Sequence, residues 1–181
     1  MVLELRRVGV GGLAEVGEVL VDLYVDIYAA EREGPFYSRE RIAERLDMHA
    51  ACDAWEAVIG YGEAGEPAGY VYGARLPEGS GWWEGMVPAP GPEFVAESGS
   101  RTLAVFELMV RKPWRGTGLA RRLHDELLVG RAEERATLLV DPGHPKVREL
   151  YEGWGYEVAG RKRPSLPGAP VYAVMVRALG R

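Results

Sequence analysis

The residues best suited to chemistry lie between positions 106 and 124. Five basic side chains, Arg111, Lys112, Arg115, Arg121 and Arg122, crowd a segment that passes through Gly116, Thr117 and Gly118. Beyond it Leu119, Leu123 and Leu127 recur at helical spacing. The first N–H groups of a helix have no partner inside it, and its dipole is positive at that end. A glycine-bearing turn that opens a helix therefore favours an anion. Gly116 and Gly118 lack Cβ atoms, so a bulky ligand can lie against the main chain. The expected ligand is a phosphate or pyrophosphate. Two common nucleotide patterns do not fit. A Walker loop needs a lysine directly after its last glycine, and none follows here. A dinucleotide fingerprint needs a third glycine, whereas Leu119, Ala120 and Arg121 follow Gly118. What stands here is Arg-x-x-Gly-x-Ala, at Arg115, Gly118 and Ala120.

Such a turn needs a strand before it and a helix after it. Residues 104–110 form an apolar run that breaks before Pro113, which cannot donate to a ladder. The helical pattern continues to about residue 129. Residues 136–140, a short continuous run with β-branched members, suit an interior strand. Strand, crossover helix and strand make a right-handed βαβ unit with two parallel neighbours. Ligands bind at the carboxyl ends of such strands.

Upstream, residues 2–6 read as a strand. Val16, Leu20, Leu23, Tyr24 and Ile27 give a long helix from Leu13 to about Ala30, stopped by Gly34 and Pro35. Ser38 is a fitting N-cap for a short second helix with Ile42 and Leu46. Residues 55–61 and 69–75 read as a hairpin about the turn 62–66. Residues 76–100 are rich in Gly and Pro, carry Trp82, Trp83 and Phe94, and have no basic residue. They are expected to be either a lid or an insertion whose tryptophans pack back on the core. Downstream, Val147, Leu150, Tyr151 and Trp154 mark one face of a short helix ended by Gly155. Residues 156–160 and 171–179 read as two closing strands.

The chain of 181 residues, 47% hydrophobic, is expected to form one domain over 1–181. Its net charge of -5 speaks against nucleic acid as a partner and makes the basic segment a local exception. Cys52 is the only cysteine, so no disulfide forms within the chain, as suits a reducing cytoplasm. No signal-like start and no apolar run of about twenty residues point to secretion or a membrane. His49, His124 and His144 lack a metal-ligand spacing, and no metal is expected.

The element order is β-α-α-β-β-β-α-β-α-β-β, a mixed α/β sheet with helices on its faces. This order resembles the fold of the GNAT superfamily of N-acetyltransferases. Arg115-x-x-Gly118-x-Ala120 is similar to the acyl-CoA pyrophosphate loop of that family. Leu150-Tyr151-Glu152-x-x-Gly155-Tyr156 is similar to a second family segment, and the match covers residues 104–179. There are two departures: His144 stands where the family often has asparagine, and Val147 where alanine is common.

The resemblance implies transfer of an acyl group from acetyl-CoA to a primary amine, by direct attack on the thioester. Arg115, Gly116, Thr117, Gly118, Leu119 and Ala120 would hold the diphosphate. The main chain of Met109 and Val110 would pair with the pantetheine arm at a splayed parallel strand pair and polarise the thioester. His144 would stand on the CoA side. Tyr151 would protonate the leaving thiolate, and Glu107 would take a proton from the amine. Tyr28, Glu31, Trp82 and Trp83 would border the acceptor. Aromatic faces and carboxylates there suit a small cationic amine. The alternatives are a non-catalytic acyl-CoA-binding or regulatory module and an acetyltransferase of protein N-termini or lysines. A homodimer is an open expectation.

Overall fold

The computed structural model describes residues 4–28, 35–165 and 168–180. Among them are seven strands and five helices: β1 Glu4–Gly9, α1 Leu13–Tyr28, α2 Arg39–Ala50, β2 Glu56–Tyr61, β3 Pro67–Arg75, α3 Pro92–Val95, β4 Thr102–Val110, α4 Leu119–Leu128, β5 Arg135–Val140, α5 Pro145–Glu152, β6 Glu157–Lys162 and β7 Tyr172–Ala178. The strands form one mixed sheet in the order β1-β2-β3-β4-β5-β7-β6. The order of elements is the expected one, with the single-turn α3 added. The expected end of the first helix at Ala30 and its stop at Gly34 lie outside the described residues. The contacts divide the chain into two compact units, Met1–Ala74 with Val105–Arg131, and Arg75–Ala104 with Ala132–Arg181.

In the first unit β1, β2 and β3 form an antiparallel meander. Helix α1 buries Val16, Leu20, Val21, Leu23, Tyr24 and Ile27. Helix α2 starts at Ser38, whose hydroxyl accepts from the Arg41 N–H at 3.3 Å. The inner face of α2 buries Ile42, Leu46 and Ala50, and also Arg45. These residues pack with Ala57, Ile59, Tyr70 and Tyr72 of the sheet into one cluster, Arg45 apart. Helix α4 buries Leu119, Leu123 and Leu127, and it approaches closely because Gly60 faces it. A Cβ at Gly60 would stand 3.0 Å from Leu119 Cδ1. Arg7 ties down the end of α4 by donating to the carbonyls of Glu126 and Val129. Another close approach occurs on β4, where a Cβ at Gly69 would come within 2.5 Å of the Met109 carbonyl oxygen.

In the second unit β5, β7 and β6 pair antiparallel. The first residues of β4 run parallel to β5, and only three pairs form, ending at Ala104 with Thr137. The tryptophans of residues 76–100 pack back on this unit. The Arg135 guanidinium lies 4.7 Å from the Trp83 ring and 4.8 Å from the Phe94 ring. It donates to Thr102 Oγ1 at 2.8 Å, the Phe94 carbonyl at 2.7 Å and Glu97 Oε1 at 2.9 Å. Val87 and Arg161 exchange backbone hydrogen bonds at 2.8 and 3.0 Å. Helix α5 departs from the sequence expectation. Tyr151 is its one buried residue, while Val147 and Leu150 are 42% and 44% exposed. The helical period is present, but only the end with Tyr151, continued by Trp154 and Tyr156, meets other aromatic rings.

Gly69 lets β3 come close to the β4 main chain at Met109 and Val110. Gly69→Ala forces either Met109 or β3 to shift, because the clash is with backbone. The expected loss of stability is about 1–3 kcal/mol, measured by urea denaturation.

Candidate active site

The basic turn is built by a change of backbone hand. After β4 the chain makes a 3-10 turn over Lys112–Trp114. Arg115 Nε donates to the Val110 carbonyl at 3.1 Å, and the Thr117 hydroxyl donates to the Trp114 carbonyl at 2.7 Å. Gly116 and Gly118 have φ of 79° and 84°, a region that side-chain-bearing residues avoid. Gly118 is the N-cap of α4 and offers no side-chain cap, so the first N–H groups of the helix lack an intrahelical partner. A Cβ at Gly116 or Gly118 would meet nothing within 4 Å. The turn is thus open in front, while buried Leu119 pins it behind. Of the nearby cations, Arg111 pairs with Asp26 at 2.9 Å and Arg121 with Asp125 at 2.5 Å. Lys112, Arg115 and Arg122 are exposed.

Glu107 sits in a second cluster of the same unit. Phe106, Glu107 and Leu108 are half-buried in succession, which breaks the alternation of β4; Met109 beyond them is buried and Val110 half-buried. Among the described residues the Glu107 carboxylate has no hydrogen-bond or ion-pair partner. Burial pushes its pKa up to about 7, against the opposing pull of the Arg45 cation. The buried Tyr70 and Tyr72 phenols are pushed well up, first by burial and then by the Glu107 charge.

Helix α2 lies over this pair. The His49 imidazole stacks on Phe106 with centroids 3.8 Å apart and planes 2° from parallel, and its Nδ1 is 3.3 Å from the Tyr72 hydroxyl. Burial, helped by Arg45, lowers the His49 pKa to about 3. Arg45, 8% exposed, donates to the Phe36 carbonyl at 2.7 Å and the Tyr24 hydroxyl at 3.2 Å, 4.3 Å from the Phe36 ring. Tyr28 continues the cluster between Tyr24 and Tyr37, at 4.6 and 5.5 Å.

The second unit holds the remaining candidates. The Tyr151 ring is 8% exposed and stands edge-on to Trp154 at 5.1 Å and Tyr156 at 5.7 Å. His144, exposed, opens α5 with its N–H on the Asp141 carbonyl at 3.0 Å. Trp83 is 3% exposed, and its indole N–H donates to Glu97 at 2.9 Å. The half-buried Trp82 donates to Thr137 Oγ1 at 3.3 Å, and the Lys162 ammonium donates to its carbonyl. Glu31 lies outside the described residues. One unit therefore brings together Tyr28, Glu107, Met109, Val110 and the turn 115–120. The other carries Trp82, Trp83, His144 and Tyr151. Arg45, His49 and Tyr72 were not singled out in the sequence. The available signal was a pair of polar residues, Arg45 and His49, spaced i, i+4 beside the apolar Ile42 and Leu46 of one helix.

The site thus lies where a central strand of a mixed sheet leads into a glycine-opened helix without a side-chain cap. The Acetyltransferase (GNAT) family model matches residues 18–156, and the chain belongs to that family. Among solved structures, the chain is similar to a GCN5-related N-acetyltransferase from Kribbella flavida, with 18% identity, 98% of each chain covered and a TM-score of 0.64. It is similar to Ard1 from Thermoplasma volcanium, with 12% identity, 100% of each chain covered and a TM-score of 0.64. It is also similar to mutant forms of the spermidine/spermine N-acetyltransferase SpeG from Vibrio cholerae. That match has 17% identity, a TM-score of 0.57, and covers 98% of this chain and 95% of that one. At such identities the likeness is one of fold. A search of curated proteins gave no match.

The shifts of Glu107 and His49 oppose each other in stability. Glu107 titrates near 7 folded and about 4.3 unfolded. The native state therefore holds a proton that the unfolded chain has released, and its contribution is lost as pH rises through 7. His49 titrates near 3 folded and about 6.5 unfolded, so its contribution is lost as pH falls below 6.5. Glu107→Gln should remove the first slope. The stability of the variant, measured by urea denaturation at pH 5 and pH 8, should rise with pH more steeply than that of the parent.

Proposed function

We propose that the chain transfers an acetyl group from acetyl-CoA to a primary amine of a small cationic metabolite. The observation that carries this reading is the uncapped start of α4 at left-handed Gly118, open in front and eight residues after the end of β4. Donors with this geometry suit a diphosphate, and family membership makes acyl-CoA its natural source. The pantetheine arm would pair with the β4 main chain at Met109 and Val110, and an N–H there would stabilise the oxyanion.

In this reaction the amine nitrogen attacks the thioester carbonyl carbon, and the carbon–sulfur bond breaks when the tetrahedral intermediate collapses. Glu107 takes the proton lost by the ammonium. Its pKa near 7 suits a base that works at neutral pH. The Tyr151 hydroxyl gives its proton to the departing thiolate. The aromatic cluster of Tyr24, Tyr28 and Tyr37 and the fold shared with a spermidine/spermine N-acetyltransferase support a cationic acceptor.

Tyr151→Phe should lower kcat by about 100-fold or more while leaving acetyl-CoA affinity unchanged. The assay is CoA release with spermidine, an aminoglycoside and a set of amino acids. Equal turnover would remove Tyr151 as the acid, and no release above buffer with any of these amines would remove the small-amine reading.

A further inference from the structure

The carboxyl end of β4 carries a peptide group outside the strand ladders. The Arg111 N–H donates to the Ala68 carbonyl of β3 at 2.9 Å. Peptide groups alternate in direction along a strand, so the N–H and the carbonyl of Val110 face the opposite edge. On that edge the pairing of β4 with β5 stops at Ala104 with Thr137. A carbonyl left outside a ladder needs another donor. Arg115 supplies it, with its Nε on the Val110 carbonyl at 3.1 Å. We propose that the Arg115 side chain is a positioning residue: it braces the end of β4 and sets the spacing between the Val110 main chain and the diphosphate turn. This rests on the reading that Met109 and Val110 receive the pantetheine arm.

The bond joins the two ends of the segment 110–115. Inside it, the Trp114 N–H on the Arg111 carbonyl at 2.9 Å and the Arg115 N–H on the Lys112 carbonyl at 3.2 Å hold the chain in its tight 3-10 turn. The Thr117 hydroxyl fastens the next step to the Trp114 carbonyl at 2.7 Å. A ligand that pairs with Val110 and also reaches the turn 116–118 must match the length these bonds fix. The donor in the brace is Nε, the nitrogen next to the aliphatic stem. What counts there is an N–H on a planar nitrogen, not the positive charge. The exposed Lys112 and Arg122 carry charge in this region in any case.

Three variants separate brace from charge. Arg115→Gln puts an amide N–H at the atom where Nε stood, without the charge. Arg115→Met removes both, and Arg115→Lys keeps the charge but loses the planar donor. Hydrogen exchange of the unliganded protein, followed in peptides covering 108–117, should quicken by about fivefold in Arg115→Met, as fits the loss of one hydrogen bond. Arg115→Gln should bring the rate back toward that of the parent. In calorimetric titrations Arg115→Met should weaken acetyl-CoA and acetyl-pantetheine by a similar factor, about fivefold. Arg115→Gln should regain most of that loss with both ligands, and Arg115→Lys little of it. Unchanged exchange in Arg115→Met would overturn the proposal. So would a loss confined to acetyl-CoA that Arg115→Lys rescues and Arg115→Gln does not, the pattern of a cation acting on the diphosphate alone. A parent protein that binds neither ligand removes the acyl-CoA reading, and the exchange rates then decide the brace by themselves.

Discussion

Helix α4 is held chiefly by its apolar stripe, with Arg7 fastening its far end. Leu119, Leu123 and Leu127 are almost fully buried, and the first two meet the bare backbone of Gly60. Burying each such leucine is worth about 1.5–3 kcal/mol, enough to fix the helix without help from a side-chain cap. That leaves its N-terminus uncapped, and the left-handed Gly118 leads into it from the 3-10 turn that follows β4. The donors of the turn are available to a ligand because hydrophobic packing behind them has done the anchoring. The exposed Lys112, Arg115 and Arg122 add positive charge beside that uncapped end.

Two arginines buried among aromatic rings show contrasting solutions to the same problem. Arg135 lies between Trp83 and Phe94 and meets a fully buried carboxylate, Glu97. Its charge is matched locally, and the pair secures residues 76–100. Arg45 lies over Phe36 and meets a carbonyl and a phenol. The nearby negative charge that it feels is Glu107, which acts through the field and not through a hydrogen bond. A buried charge without a close partner is costly. Here the arrangement leaves a carboxyl whose proton affinity lies near neutrality, which a tight ion pair would abolish.

The strand-turn-helix around Gly118, the Ser38 cap and the order of elements were legible in the sequence because each is a local pattern. Glycines, a capping hydroxyl and the periods of apolar residues act within a few positions of one another. The surroundings of Glu107 were not legible, since His49 and Arg45 arrive from a helix about sixty residues upstream in sequence, and no short-range signal marks that meeting. The same reason hid the role of residues 76–100, whose tryptophans are claimed by Arg135 and Thr137. Helix α5 shows the opposite failure. The helical period is there, but Val147 and Leu150 stay 42% and 44% exposed, because a period announces a face and not its partner.

The central claim is that the turn opened by Gly118 recognises the diphosphate of an acyl-CoA. Calorimetric titration with acetyl-CoA and with acetyl-pantetheine, which carries the same thioester without the diphosphate, tests it directly. The account predicts saturable binding of acetyl-CoA and affinity for acetyl-pantetheine weaker by about tenfold or more. Equal affinity for the two, or no binding of acetyl-CoA, would contradict it.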